Sequence, residues 1–456
     1  MIGPQLASFA IGSPSDAIPN EVRARARLHV LDTIGCGLAA VGLRTAGHAT
    51  AVAVAEGGRP EASILGEARL VPASVAALAN GTRCHGLDFD DTHEAGICHV
   101  STVVAPAALA VGEACGSTGG DVLDAYILGS EVALRIAVAL VDGLYARGFH
   151  PTSVCGAFGA AAAASRLLEL DPSDAARALG IVGSFASGLF EYLSDGSATK
   201  PLHAGWAAQA GVRAARLAQA GATGPATVIE GRFGLAASHT GSTPDADALL
   251  EGLGERWEVA NVSIKPFPAC HFAHSSTWAA AELAGEHGLG PADIEEIVVR
   301  VPAEGAELVL IPLADKHSPR TVYDAKFSLP FTVAHHLIHG HLGLTAFSEQ
   351  AIRDPDVLAL ARRVRGGPLP DPPSRFAGSA RVVTTTGDEL DRLLAHAPGS
   401  PRNPLDEDWL LAKFRANAEL ALDAAAAAEL AEALRALDEA PSLERAMTVA
   451  RSAATR

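Results

Sequence analysis

The chain has 456 residues, of which 48% are hydrophobic and only 5% aromatic. A chain of this size can bury a large apolar core and divide into more than one domain. Its formal net charge is −17, and its 35 Lys and Arg residues form no basic block, so it would repel a phosphate backbone. We therefore expect no nucleic-acid partner, and an anionic substrate would have to be held by a few local cations.

The six cysteines show neither a CxxC pair nor a spacing typical of zinc or iron–sulfur ligation. Reduced thiols in a cytoplasmic protein are the expectation. The first residues lack the basic and then apolar pattern of a signal peptide, and no uninterrupted apolar run reaches about 18 residues. The sequence therefore predicts neither export nor a membrane partner.

Helical periodicity dominates the first part of the chain. Asn20 can cap a helix in which Val22, Ala26, Val30 and Ile34 recur at helical spacing. Further helical patterns span residues 71–87, 103–116, 121–144 and 158–170, and Asp171-Pro172 begins another helix. The abundance of alanine and glycine favours helices packed closely on small side chains. We predict a helical domain over residues 1–262.

The pattern changes near residue 262. The segments IEEIVVRVP and ARVVTTTGDEL are strand candidates, and a helical FTVAHHLIHG segment and a Pro/Gly-rich stretch lie between them. Residues 263–395 are therefore predicted to form a smaller α+β domain. Residues 396–456 return to a helical pattern and should complete the first domain. The expected fold class is mainly α with a smaller α+β domain.

The densest polar cluster is HGLDFDDTH at residues 85–93, followed by His99. On a helix or its terminal turn, His85 and Asp88 would face the same way, as would Asp88 and Thr92. One face could then present an acid, a hydroxyl and an imidazole. The alternative is that the Asp and Thr side chains only cap turns, which both residue types favour.

A metal site is the competing functional interpretation of this cluster. Histidine and aspartate at such spacing can hold Zn²⁺, Mn²⁺ or Mg²⁺, although no HExxH or other established ligand spacing is present. The corresponding alternative function is a metal-dependent hydrolase that uses His85, Asp88, Asp90 and His93.

Three further motifs combine histidine with lysine or with a helix start. His150 precedes Pro151 and a small-residue helix, a position that suits an anion. Lys200 and His203 lie three residues apart, and Lys265 precedes both His271 and His274. Lysines in Gly-, Pro- and Ala-rich surroundings can bind carboxylates or tune a neighbouring imidazole; the alternative is a lysine whose charged end simply reaches solvent.

Taken in order, the motifs HGLDFDDTH, GFHPTS, SATKPLHAG and IKPFPACHFAH resemble the MmgE/PrpD family, as do HVLDTIGCGLAA near the start and GSPRNPLDEDWLLAKF near the end. The resemblance covers nearly the whole chain. It implies a helical domain built from N- and C-terminal segments, an inserted lid domain, a homodimer, and catalysis without metal or organic cofactor.

The resemblance also assigns site residues. It places the family's catalytic residues on Asp88, Thr92, His99 and His150. Its substrate-binding lysines fall on Lys200 and Lys265, with His203 and His271 as adjacent candidates. His271 and His274 remain alternatives for the histidine that enters the pocket, and Tyr323 is the nearest candidate for a tyrosine that some decarboxylase members use.

These residue types suit a lyase that acts on a small di- or tricarboxylate. Proton removal beside a carboxylate and loss of a β-hydroxyl need a base near neutral pKa, an acid, and cations for the developing enediolate charge. Histidine supplies the first two and lysine the third. We expect a dehydratase like 2-methylcitrate dehydratase, with cis-aconitate decarboxylase-like or iminodisuccinate epimerase-like activity as the alternatives.

Overall fold

A computed structural model describes residues 1–453 of the chain. Two compact units divide the chain: Met1–Ile264 together with the C-terminal segment from Asp406, and Lys265–Leu405. The first unit is built almost entirely of helices, whereas the second combines helices with a four-stranded sheet. The predicted fold class, mainly α with a smaller α+β part, is confirmed. A lid role for the second unit stays a prediction.

Helices of very different lengths and two short strand pairs make up the N-terminal part of the first unit. The helices are α1 (Ile2–Gly12), α2 (Asn20–Gly42), α3 (His48–Glu56), α4 (Ala73–Cys84), α5 (Ser101–Cys115), α6 (Gly119–Ala146), α7 (Pro151–Leu167), α8 (Pro172–Val182), α9 (Tyr192–Asp195), α10 (Lys200–Gln219) and α11 (Ala246–Leu250). The antiparallel pairs are β1 (Ala62–Ile64) with β2 (Glu67–Val71), and β3 (Thr92–His93) with β4 (Val262–Ser263).

Glycines set how closely these helices approach. A Cβ on Gly159 of α7 would lie 2.6 Å from the carbonyl oxygen of Gly129 in α6. A Cβ on Gly205 of α10 would lie 2.3 Å from the carbonyl oxygen of Leu78 in α4. Any larger side chain would separate these helices, because a packed interior has no free volume to absorb it. The small residues that predicted close packing therefore lie at the contacts between helices.

The second unit contains α12 (His274–His287), α13 (Ala303–Val309), α14 (Leu313–Lys316), α15 (Val322–Lys326), α16 (Leu329–His339) and α17 (Pro355–Ala361). Its strands are β5 (Ile294–Val301), β6 (Val364–Pro368), β7 (Gly378–Thr384) and β8 (Glu389–Leu394), in the sheet order β6-β5-β7-β8. β6 runs parallel to β5, and the other pairs are antiparallel. Alternate residues of β5, including Ile297, Val299 and Val301, are buried in this unit's own core, as expected of a strand with one covered face.

The C-terminal segment adds α18 (Glu407–Ala418), α19 (Ala424–Arg435) and α20 (Glu444–Arg451) to the first unit. α18 packs on α2, where the Phe414 ring lies against Gly35. Lys413 donates to the Phe89 carbonyl oxygen at 2.9 Å and pairs with Asp32 at 2.7 Å. The C-terminal helices therefore hold the segment that carries the Asp-rich motif.

Several local predictions need correction. Asn20 is the first residue of α2, and Pro19 is its N-cap, so no side chain caps this helix. The predicted strand ARVVTTTGDEL ends at Thr384, and β8 begins only after a turn at Gly387. The helical pattern predicted after residue 396 is interrupted between Ala418 and Ala424. By contrast, Asp171 caps α8 as predicted, because its side chain accepts from the Asp174 amide. None of the described helices is long and apolar enough to cross a bilayer.

Candidate active site

The starts of three long helices of the first unit meet at one buried cluster of histidines. His99 lies two residues before α5, His150 is the N-cap of α7, and Lys200 and His203 occupy the first turn of α10. His85 follows the end of α4. The ring centroid of His150 lies 5.3 Å from that of His203, 6.0 Å from that of His85 and 6.3 Å from that of His99. These helix N-termini carry partial positive charge, which favours an anion.

The Asp-rich segment is not helical, which corrects the predicted face of the cluster. α4 ends at Cys84, Asp88 has a positive φ of 55°, and Thr92 lies in β3. Asp88 therefore does not share a helix face with His85 or Thr92. A turn and a short strand bring these side chains together instead of the i, i+4 spacing.

His99 is held from several sides. Its Nδ1 lies 2.7 Å from the Asp91 carbonyl oxygen and 3.1 Å from Thr92 Oγ1. Its backbone amide donates to Thr152 Oγ1, in the first turn of α7, at 3.0 Å. The carbonyl oxygen can only accept, so Nδ1 of His99 carries the proton and donates to it. Thr92 and Thr152 therefore fix both the ring and the backbone of His99.

Asp88 and Lys200 form a buried ion pair. Asp88 Oδ2 lies 2.9 Å from Lys200 Nζ, and the two side chains are only 7% and 11% exposed. A positive φ is unusual for a residue other than glycine, although aspartate tolerates it better than most. The turn at Asp88 therefore directs its carboxylate to the start of α10.

His150 and His203 share one hydrogen bond between like atoms. Their Nδ1 atoms lie 3.1 Å apart, so one Nδ1 donates and the other accepts, and both rings cannot be protonated at these atoms. Burial is the main cause that holds the pKa of His150 well below its usual value, and the nearby His85 and Lys200 lower it further. Burial and the same two neighbours lower the pKa of His203 to about 4. The pair is thus neutral at pH 7, with one Nε2 as acceptor and the other as donor.

A cavity of about 480 Å³ opens beside this pair, within the first unit. Its lining includes Ser153, Gly188, Tyr192, His203 and Trp206. The φ of Gly188 is 122°, and a Cβ there would lie 2.7 Å from the Ser153 Cβ, so only glycine fits. The volume is in the range of small-molecule sites.

A second layer of buried polar groups supports the cluster. Asp91 Oδ2 lies 2.9 Å from His29 Nδ1 and accepts from Ser101 Oγ, which is itself 2.5 Å from the Tyr126 hydroxyl. Burial raises the pKa of the nearby Asp32 to about 6, against the opposite effect of Lys413. Asp91 therefore binds side chains of the core and does not cap a turn.

Lys265 and His271 belong to the second unit. Lys265 is 1% exposed, and the His271 ring stacks on Phe376 at 4.2 Å between centroids. His274 Nε2 donates to the Ala269 carbonyl oxygen at 3.0 Å. Tyr323 lies on α15 of the same unit, 5.1 Å from the Phe327 ring. Their roles as substrate-binding residues stay predictions.

The structure assembles six of the eight predicted site residues in the first unit, namely Asp88, Thr92, His99, His150, Lys200 and His203. The residues assigned to the lyase site from sequence did not include His85 and Asp90, which were candidates only for the alternative hydrolase. His85 Nδ1 lies 2.8 Å from Asp90 Oδ2, and this oxygen is also 3.3 Å from His99 Nδ1. Both residues stand in the same HGLDFDD motif. Their spacing alone did not distinguish a buried pair from a turn cap.

Two groups of side chains in the described part of the chain are close enough to hold a metal ion: His85, His99 and His150, and Asp88, Asp90 and His99. In each group, the ligand atoms lie within 4.8 Å of one another. His93 belongs to neither, because its Nε2 bonds Glu258 at 3.3 Å and its Nδ1 accepts from the Gly96 amide. The ligand set of the alternative hydrolase, which requires His93, is therefore not assembled.

Comparisons with known proteins agree with the motif order. Residues 4–246 match the model of the MmgE/PrpD N-terminal domain, and residues 267–439 match that of the C-terminal domain. Cis-aconitate decarboxylase of Mus musculus is 30% identical over 414 residues, which cover 86% of this chain and 82% of the relative. The Homo sapiens enzyme is 30% identical with 88% and 84% covered, and that of Aspergillus terreus is 26% identical with 95% and 92% covered. The chain therefore belongs to the MmgE/PrpD family.

Proposed function

We propose that this chain is a lyase that acts on a small di- or tricarboxylate without a metal or organic cofactor, and that its reaction is the decarboxylation of a cis-aconitate-like acid. The observation that carries the proposal is the convergence of three helix N-termini and Lys200 on a cluster of buried histidines. The curated relatives named above, from animals and a fungus, are all cis-aconitate decarboxylases.

The cluster suits a polyanion because it joins positive potential to neutral proton-transfer groups. Helix N-termini and a lysine attract carboxylates and stabilise the charge that develops on them. Neutral imidazoles donate or accept protons without repelling a cationic neighbour. The cavity beside His203 has room for a small acid.

In decarboxylation, the bond from carbon to one carboxylate breaks and CO₂ leaves. Its electron pair stays on the substrate, where a neighbouring conjugated carboxylate takes up the charge as an enediolate. A neutral imidazole N–H then gives its proton to carbon, and the resulting ring recovers a proton from solvent. Lys200 and the helix starts stabilise the intermediate charge.

Dehydration, the activity expected from the sequence, is the second candidate. The hydrogen bond between His150 and His203 favours it, because a neutral pair presents both an acceptor Nε2 and a donor Nε2–H. An elimination needs both, one to take the proton from carbon and one to protonate the leaving hydroxyl. Decarboxylation needs only the donor.

The test is incubation of the purified protein with cis-aconitate, 2-methylcitrate, citrate and iminodisuccinate, followed by mass spectrometry and CO₂ measurement. Release of one CO₂ for each cis-aconitate consumed supports the first proposal. Reversible loss of water from 2-methylcitrate without CO₂ would replace it with dehydration. No turnover of any of the four acids would refute the lyase proposal for this substrate class.

A further inference from the structure

The HGLDFDD motif contains a second buried pair, formed by His85 and Asp90, beside the pair of Asp88 with Lys200. His85 is 1% exposed and Asp90 is fully buried. His85 Nδ1 lies 2.8 Å from Asp90 Oδ2. A carboxylate accepts, so Nδ1 carries the proton and Nε2 keeps its lone pair.

Nε2 of His85 is the unpartnered atom of this pair in the described part of the chain. It is buried, and it has no hydrogen-bond partner among the described residues. A buried polar atom without a partner is costly, and such atoms in native proteins tend to have a functional reason. A ligand that enters the cluster would give Nε2 the partner it lacks.

His85 lies in the same histidine cluster as His99 and His150, where we propose that the substrate binds. Its ring centroid is 4.9 Å from that of His99 and 6.0 Å from that of His150. One ring nitrogen of each of these three histidines lies within 4.8 Å of the other two. His85 is also among the neighbours that lower the pKa of His150 and His203.

His93 shows that a buried His–carboxylate pair need not have this property. It lies eight residues after His85, is equally buried, and its Nε2 bonds Glu258 at 3.3 Å. Its Nδ1, however, accepts from the Gly96 amide at 3.0 Å, so both ring nitrogens are used. Both ring nitrogens of His93 therefore have structural partners, whereas His85 has one nitrogen available to a ligand.

We infer that His85 is a further acid–base residue of the site and that Asp90 is its positioning residue. This inference rests on the proposed function. Asp90 fixes the tautomer of His85, as a carboxylate does for histidine in other acid–base sites, and stabilises the imidazolium that forms when Nε2 accepts a proton. Because Asp90 Oδ2 also lies 3.3 Å from His99 Nδ1, the same carboxylate aligns both rings.

His85 can carry the proton in either candidate reaction. In dehydration, the C–H bond breaks, its proton goes to Nε2 of His85, and its electrons form the new double bond as the C–O bond breaks. A neighbouring imidazole N–H protonates the leaving hydroxyl, and water departs. In decarboxylation, His85 accepts a solvent proton before turnover and gives it to carbon after CO₂ leaves. Solvent restores each ring.

The kinetic test compares His85→Gln, Asp90→Asn and the matched control His93→Gln. We expect His85→Gln to lower kcat by about 100-fold or more, the usual contribution of an acid–base group. Asp90→Asn should lower kcat more than it changes KM and should move a limb of the pH profile of kcat. The His93→Gln variant should keep both parameters and the profile, even if its melting temperature falls. Equal effects of His85→Gln and His93→Gln on kcat would overturn the inference.

A second measurement separates this inference from the proposed function. In protein labelled with ¹⁵N-histidine, NMR should show His85 as the Nδ1–H tautomer, and Asp90→Asn should change that state. Addition of propane-1,2,3-tricarboxylate, a non-reacting probe, should move the His85 Nε2 resonance but not that of His93. If the wild-type protein turns over no acid, the lyase proposal fails. The His85 inference fails by itself if Nε2 carries the proton or its resonance does not respond to the probe.

Discussion

Removal of the Lys200 charge should have two separable effects, one on stability and one on activity. Lys200→Met keeps the length of the side chain but takes the ammonium away from Asp88 Oδ2, 2.9 Å distant. Removing one partner of a buried ion pair typically costs about 3–5 kcal/mol. Because the two side chains are 11% and 7% exposed rather than fully buried, we expect the lower end, about 3 kcal/mol, or roughly a hundredfold in the unfolding equilibrium.

A double-mutant cycle with Asp88→Asn tests this reasoning. Asparagine tolerates the positive φ of this position, so the substitution removes the charge without adding backbone strain. The double variant should recover part of the stability that Lys200→Met loses, because no carboxylate then remains beside the missing cation. Its kcat/KM should stay low, because the substrate has still lost Lys200.

The assays are urea unfolding followed by circular dichroism and steady-state kinetics on the active substrate. The control is Arg435→Met, which breaks an exposed pair with Glu407, both side chains being 48% exposed, and should cost no more than about 1 kcal/mol. A Lys200→Met variant no less stable than this control would refute the buried-pair argument. An unchanged kcat/KM would refute the role of Lys200 in binding substrate.

Three further outcomes are expected. Activity should survive exhaustive chelation with EDTA, and a loss restored by one divalent cation would assign the histidine cluster to a metal instead. His203 should make the folded state less stable as the pH falls from 6.5 to about 4. Its pKa is about 4 in the folded protein and 6.5 in its unperturbed state, so the unfolded chain binds more protons in this window. The free energy of unfolding, measured against pH, should change less steeply for His203→Gln, and an identical profile would contradict this. Gly205→Ala should lower the free energy of unfolding by about 1–3 kcal/mol, because a Cβ there would lie 2.3 Å from the Leu78 carbonyl oxygen. The control Gly12→Ala, where a Cβ would meet nothing within 4 Å, should leave the unfolding midpoint no lower.

The sequence alone was sufficient for the features that depend on neighbouring residues or on composition. Abundant alanine and glycine predicted close helix packing, and the β-branched residues of IEEIVVRVP predicted β5. The cap at Asp171 and the position of His150 at the start of α7 followed from residues adjacent in the chain. The ordered motifs indicated the family because each of them is a short segment that can be recognised without knowing its contacts.

Only the tertiary structure decided which polar residues meet and what each one bonds. Asp90 and Asp91 are adjacent in sequence, yet Asp90 pairs with His85, whereas Asp91 pairs with His29 from α2. The turn at Asp88, with its positive φ, replaced the helix face that periodicity suggested. His150 and His203 are 53 residues apart, and their hydrogen bond exists because glycines let α4, α7 and α10 approach closely enough for the helix starts to converge. Periodicity describes one helix at a time, so it cannot specify contacts that depend on the distance between helix axes.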